Sequence, residues 1–349
     1  MRPSERLLEF SHFMNKHLFW FLLASYVVAA VFPSFGARIR DASLPRAAFF
    51  GRGMTLSLPM IMLAFLLLNA GIGVQAAELT SLIRRPVLLL TGLAANVLIP
   101  IAFILLVGLA LSPWRPADQP DAIQNILVGL ALIASMPIAG SSTAWSQNAN
   151  GNLALSLGLV ILSTILSPLT TPFALYSVGV MAEGDQGRHL RRLALHGTGM
   201  FLTVCVILPS VLGMMIRAML GETRLAPARP WLKLANAVNL LLLSYSNAAL
   251  ALPQTVARPD PDFLAVTLSI TTALCGLAFA AGWLIARVWG VGPGERASLM
   301  FGLGMNNNGT GLVLASLALA NHPAVMIPII LYNLVQQVFA GLIHWRLNK

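Results

Sequence analysis

Acidic side chains are scarce in this sequence: 12 Asp and Glu among 349 residues, with charged residues of both signs reaching only 10%. A soluble domain carries about a quarter charged residues, so a water-covered globular surface is excluded. Cysteine is nearly absent as well. Cys205 and Cys275 are the two, both inside apolar runs, where a thiol behaves as a small hydrophobe. That excludes a disulfide framework and any Cys-x-x-Cys metal spacing. The chain also lacks an Asp-rich metal motif, a His-Glu-x-x-His and a Ser–Lys pair at depth, the groups an intramembrane enzyme would need. The expectation is a protein that is not an enzyme and holds no cofactor. What abounds is apolar: 57% hydrophobic residues and a mean hydropathy of +0.78. The formal charge of +10 would suggest nucleic acid in a soluble chain. In a chain built for lipid it reads as the basic loops that set membrane orientation, and no nucleic-acid partner is expected.

A hydrocarbon core takes about 20 apolar residues of helix. On that ruler the chain divides into ten candidate spans: His17 to Pro33, Met54 to Ala76, Pro86 to Leu111, Ile123 to Gln147, Asn152 to Val180, Leu193 to Met219, Leu232 to Pro253, Phe263 to Trp289, Ala297 to Ala318 and Pro323 to Trp345. Polar residues from Met1 to Lys16 ahead of the first run imitate a signal peptide. The run has no Ala-x-Ala cleavage site and further apolar segments follow, so a retained first span is expected. The connections are too short for a soluble domain. An even number of spans puts both termini on one side, and the balance of Lys and Arg favours the cytoplasm, against the pull of Arg38, Arg40, Arg46 and Arg52. The expected location is the cell membrane.

Splitting the chain near Val180 leaves five spans on each side, residues 1–181 and 182–349. An odd number per half inverts the second half relative to the first, as in transporters built from inverted repeats. The fourth span of each half is interrupted, by Ser135-Met136-Pro137-Ile138-Ala139-Gly140-Ser141-Ser142-Thr143 and by Gly302-Leu303-Gly304-Met305-Asn306-Asn307-Asn308-Gly309-Thr310-Gly311. The second span of each half holds Asn69-Ala70-Gly71 or Asn247-Ala248-Ala249. Pro137 removes a backbone donor and the glycines weaken the helix, so both interrupted spans should unwind. Unwound backbone at membrane depth needs protein or a watery cavity around it, and three consecutive Asn amides need many hydrogen-bond partners. Exposed carbonyls with Ser, Thr and Asn oxygens suit a hard monovalent cation, while the N-termini of half-helices suit a carboxylate. No Asp or Glu lies well inside a span, which leaves a proton relay short of material and favours sodium as the coupling ion. The partners expected are therefore an organic anion, sodium and the lipid bilayer, with no need for a second copy of the chain.

Three runs carry a family resemblance: Gly151-Asn152-Leu153-Ala154-Leu155-Ser156, Leu166-Ser167-Pro168-Leu169-Thr170-Thr171-Pro172 and Gly304-Met305-Asn306-Asn307-Asn308-Gly309. Together with Met136-Pro137 the chain resembles the bile acid:sodium symporter family over nearly its whole length. The resemblance implies an all-α polytopic protein of ten transmembrane helices in two inverted five-helix repeats, helices 4 and 9 broken and crossing. A core domain would work against a panel domain, made of the first two helices of each repeat, by alternating access. It matches Ser142 and Ser156 to sodium ligands, with Thr143 in the place of an Asn ligand. Gly302, Leu303, Met305 and Asn306 fall at the second ion site. Asn307, Asn308, Gln336 and Gln337 fall toward the substrate, the last two where some members have a His-Asn pair. Two departures stand out: Gly302 replaces an acidic residue that serves both ions, and Val160 replaces a threonine ligand. The reading is a sodium-coupled symporter of a bile-acid-like or small carboxylate. A sodium-independent or proton-coupled carrier or exporter on the same scaffold stays open, as does a membrane sensor that transports nothing. Arsenite export is disfavoured, since no Cys lies between Ser135 and Asn152.

Overall fold

The computed structural model describes residues 13–14, 17–43, 56–74, 86–111, 121–180, 184–196 and 198–347. Arg2, Arg6, Lys16, Arg46, Arg52, Glu78, Arg84, Arg85, Arg115, Glu183 and Lys349, the boundary between the expected halves and the His196 side chain lie outside the described residues. The described chain is helical: α1 Leu18–Val31, α2 Pro33–Asp41, α3 Leu58–Gly73, α4 Pro86–Leu111, α5 Ala122–Ser135, α6 Ser141–Asn148, α7 Leu153–Gly179, α8 Gly184–His196, α9 Thr198–Leu225, α10 Arg229–Ala257, α11 Pro261–Val288, α12 Pro293–Gly304, α13 Asn308–Ala318 and α14 Met326–Leu347. Among these residues no strand forms, only isolated bridges. Among the described residues six helices are long and apolar enough to cross a membrane: α4, α7, α9, α10, α11 and α14 with the 3-10 turn that precedes it. The pair α1 and α2, bent by 94° at Phe32, makes a seventh if counted as one span. The protein is therefore an all-helical, multi-pass membrane protein.

The chain separates into two compact units, each drawing on both sides of Val180. The first comprises residues 1–75 and 203–259, and its helices meet through small residues. A Cβ on Gly71 of α3 would run into the backbone of Ser210 on α9, and one on Gly213 of α9 into that of Leu68. A Cβ on Gly36 of α2 would sit 2.7 Å from the Ala249 Cβ of α10. Helices in lipid associate by such close approach because burial from water no longer drives them together. The Tyr245 hydroxyl fixes the α1–α2 elbow, donating to the Phe32 carbonyl at 2.5 Å and accepting from the Gly36 N–H at 3.1 Å.

The second unit comprises residues 76–202 and 260–349 and holds both interrupted spans. α5 stops at Ser135 because Pro137 follows: Met136 takes the extended conformation, φ −80° and ψ 147°, that a residue before proline prefers. α7 starts where the Asn152 side chain accepts from the Leu155 N–H at 3.0 Å, an N-cap worth about 1 kcal/mol. Pro168 and Pro172 lie inside α7. Ser163 and Thr164, a turn or so ahead of Pro168, and Ser167, directly before it, return their hydroxyls to carbonyls within the same helix, among the devices that keep such a helix satisfied in lipid. An apolar cluster of Leu88, Leu93, Ile138, Leu155, Leu159, Leu299 and Leu303 binds α4, α7 and α12 together.

Candidate functional site: two broken helices bonded at their breaks

The two breaks lie against each other. Ala139 N–H donates to the Met305 carbonyl at 2.9 Å, and Asn307 N–H donates to the Pro137 carbonyl at 2.9 Å. Ile138 and Asn306 thus pair as an antiparallel bridge. Each break supplies the backbone partners that unwinding takes from the other, which is how two non-helical segments persist at depth. Side chains reinforce the junction. The Ile138 N–H donates to Ser163 Oγ at 3.1 Å, Asn306 Nδ2 to the Ile133 carbonyl at 3.2 Å, and the Asn306 N–H to Gln336 Oε1 at 3.2 Å.

On the first side, Ser142 and Ser156 are fully buried. Ser156 Oγ donates to Thr143 Oγ1 at 3.3 Å, while Ser142 Oγ has no partner. These three hydroxyl residues, expected as one ion site, belong to α6 and the first turn of α7. A second polar pin holds the far end of α6: Ser146 and Ser298 hydroxyls meet at 2.8 Å, and Ser298 Oγ reaches the Asn152 carbonyl at 2.8 Å. Gly151 lies within this pin, and a Cβ there would fall onto Ser146 Oγ. We expect Gly151→Ala to spread the α6–α12 contact and cost about 2 kcal/mol or more, read as a fall in thermal stability with no change in membrane insertion.

On the second side, Leu303 and Met305 are buried, and the Met305 carbonyl is already engaged with Ala139. Gly302 faces α7: a Cβ there would lie 2.9 Å from Leu159 Cδ1, one turn beyond Ser156. Asn306 and Asn308 are buried, with Asn306 Oδ1, both amide atoms of Asn308 and Thr310 Oγ1 all lacking partners. Asn307 has a structural role: its Oδ1 accepts from the Thr310 N–H at 3.3 Å and caps α13. Gln336 is 2% exposed and tied to Asn306 and, through its amide, to Asn333 at 3.3 Å. Gln337, the next residue, is partly buried.

Because Asn307 caps a helix, alanine there mixes two effects. Asn307→Asp keeps the cap oxygen and removes the amide, so it is expected to preserve stability while lowering uptake. Asn307→Ala is expected to lose about 1 kcal/mol of stability besides. Equal uptake by the Asp variant and the parent would leave Asn307 a capping residue only.

Asn96 escaped the sequence reading. It lies on α4, is 5% exposed, and its Oδ1 has no partner. With Ser135, Pro137, Ser163 and Thr170 it lines a cavity of about 20 Å³ beside the first break, room for a single water-sized group. The available signal was the one amide side chain in a run of 26 residues whose other polar side chain is Thr91.

Broken helices whose breaks hold no charged side chain, bonded to each other and carrying unpaired polar atoms in the interior of a multi-pass protein, are the build of a membrane transporter. The comparisons agree. Residues 60–258 match the model of the sodium bile acid symporter family, so the chain belongs to that family. The match includes the first break and ends ahead of the second. Two relatives come from Bacillus subtilis (strain 168). The uncharacterized protein YbaS is 29% identical over 64% of this chain and 69% of its own length. The uncharacterized sodium-dependent transporter YocS is 24% identical over 73% of each.

Proposed function

We propose that the protein is a secondary active transporter that carries an organic anion, bile-acid-like or a small carboxylate, together with sodium by alternating access. The observation that carries this reading is the set of unpartnered buried atoms on both breaks: Ser142 Oγ, Asn306 Oδ1, Asn308 Oδ1 and Nδ2, and Thr310 Oγ1. Buried polar groups are almost always satisfied, and leaving one unsatisfied costs about 1–3 kcal/mol. Five at one junction are explained if the junction takes up polar cargo. Ser142, Thr143 and Ser156 offer oxygens to a cation, with Leu303, Met305 and Asn306 on the opposite break. Asn307, Asn308, Gln336 and Gln337 take the substrate end.

The same reading makes the chain ten spans in two inverted repeats, residues 1–181 and 182–349, with both termini cytoplasmic and the cell membrane as its location. Two pairings support it. Gly71, two residues after Asn69, packs on α9, and Ala249, two residues after Asn247, packs on α2. The fourth span of each expected half is broken, and the breaks bond to each other. The second unit corresponds to a core and the first to a panel. No enzymatic step, cofactor, nucleic acid or second copy enters the proposal.

Uptake by protein reconstituted in vesicles tests it. An imposed sodium gradient is expected to drive accumulation of the anion, whereas a pH gradient at fixed voltage has little effect beyond ionisation of the substrate. Accumulation on a proton gradient alone would favour the second reading, a sodium-independent or proton-coupled carrier on this scaffold. That alternative draws on Gly302 and Val160, neither of which gives a side-chain oxygen to a cation.

A further inference from the structure

A basic corner lies in the first unit. Between Arg217 and Lys233 the sequence holds Arg217, Arg224, Arg229 and Lys233 against one carboxylate, Glu222. α9 is interrupted at Gly221, whose φ of +68° is open to glycine at little cost, and the chain turns there. The turn brings Glu222 back: its Oε2 accepts from Arg217 Nη2 and from Arg229 Nη2, the latter at 2.6 Å. Two guanidiniums on one carboxylate leave a positive charge uncompensated. The Arg217 side chain is only 10% exposed, and its Nη1 is buried without a partner. Arg229 opens α10, whose N-cap residue Ala228 supplies no side-chain cap; Pro230 has no N–H and the Leu232 N–H is taken by the Ala228 carbonyl, which leaves the Arg229 and Trp231 N–H groups as the uncapped donors of a 29-residue helix. Helix N-termini of this kind favour phosphate, and guanidinium forks match it geometrically.

The surroundings say which phosphate. Met215, Met219 and Trp231 are 52%, 78% and 64% exposed, an apolar rim with a tryptophan of the sort that marks the boundary between lipid tails and headgroups. We propose that Arg217, Arg229 and the start of α10 bind the phosphate of an anionic phospholipid headgroup, with exposed Arg224 and Lys233 adding long-range attraction. Glu222 acts as the internal counter-ion that the headgroup partly displaces. Basic pockets between transmembrane helices bind anionic headgroups on the same physics.

Thermal unfolding of the purified full-length chain in detergent tests the site, with dioleoyl phosphatidylglycerol, dioleoyl phosphatidylcholine or inorganic phosphate added, and native mass spectrometry counting retained lipid. Phosphatidylglycerol is expected to raise the midpoint by about 3 °C or more over phosphatidylcholine. Arg229→Gln, half-exposed and safe for folding, and Arg217→Gln should remove most of that difference. Glu222→Gln should act in the opposite direction and retain the lipid several-fold more strongly, an outcome that a purely structural ion-pair cluster would not give. Equal stabilisation by the two lipids, or unchanged lipid retention in Arg229→Gln, would overturn the proposal. Inorganic phosphate alone producing the full shift would overturn the lipid as its source.

Discussion

Withdrawing sodium is expected to weaken binding of the organic anion by about tenfold or more, and adding the anion to tighten sodium by the same factor. The argument starts from what the junction lacks. Neither broken segment carries a carboxylate, and Gly302 offers only backbone. Ser142, Thr143, Ser156 and Asn306 present neutral oxygens, and a cation among neutral groups in a low-dielectric interior remains an uncompensated charge. Two such ions side by side would repel strongly. One cation with the substrate carboxylate as its counter-charge avoids both costs, so the two ligands stabilise each other. Sodium dependence of uptake should then show a Hill coefficient near one, and transport of a monoanion should move no net charge. Isothermal titration of the anion with sodium replaced by choline measures the coupling directly. Binding indifferent to sodium would break it, and a Hill coefficient clearly above one would mean that a second ion is neutralised elsewhere.

The course of the chain through the membrane was legible where the apolar runs were long. The described part of α4 covers the span expected, and the ends of α7 and α11 fall within two residues of theirs, because length and hydropathy alone set a span. Both breaks were legible too, since proline and clustered glycine act on the backbone locally. The expected sixth span, Leu193 to Met219, crosses Gly197, which lies outside the described residues; ahead of it Gly184–His196 is amphipathic, with Leu190 and Ala194 buried, and after it the helix runs past the expected end to Leu225. The elbow at Phe32 was read as the end of a span, whereas the chain turns there and α2 continues, a turn held by Tyr245 from 213 residues away. The tie between Gln336 and Asn306 lay beyond pattern reading for the same reason: it joins side chain and backbone across 30 residues. Asn307 was read as a substrate contact, and its service as a cap became visible only with the start of α13.

Gly302 and Gly304, two residues apart, should respond to substitution in opposite ways. A Cβ at Gly304 would enter the contact shell of the Phe279 ring body. That ring is fully enclosed, stacked at 6.0 Å on Phe339 and edge-on to Phe301 at 6.1 Å, so it has nowhere to move. Gly304→Ala is expected to cost about 3 kcal/mol or more by overpacking and to depress the yield of folded protein severely. At Gly302 the obstacle is a single methyl, Leu159 Cδ1 at 2.9 Å, the tip of a side chain with other rotamers. Gly302→Glu combined with Leu159→Ala therefore removes that obstacle, and it places a carboxylate beside the turn of α7 that follows Ser156. Such a charge would neutralise a second cation, so sodium affinity should rise by about tenfold and the Hill coefficient should move above one. Transport of a monoanion would then carry net positive charge inward, visible as a current on a supported membrane that the parent protein does not give. A folded Gly302→Glu, Leu159→Ala variant with unchanged sodium affinity would mean that the cation does not sit within reach of residue 302.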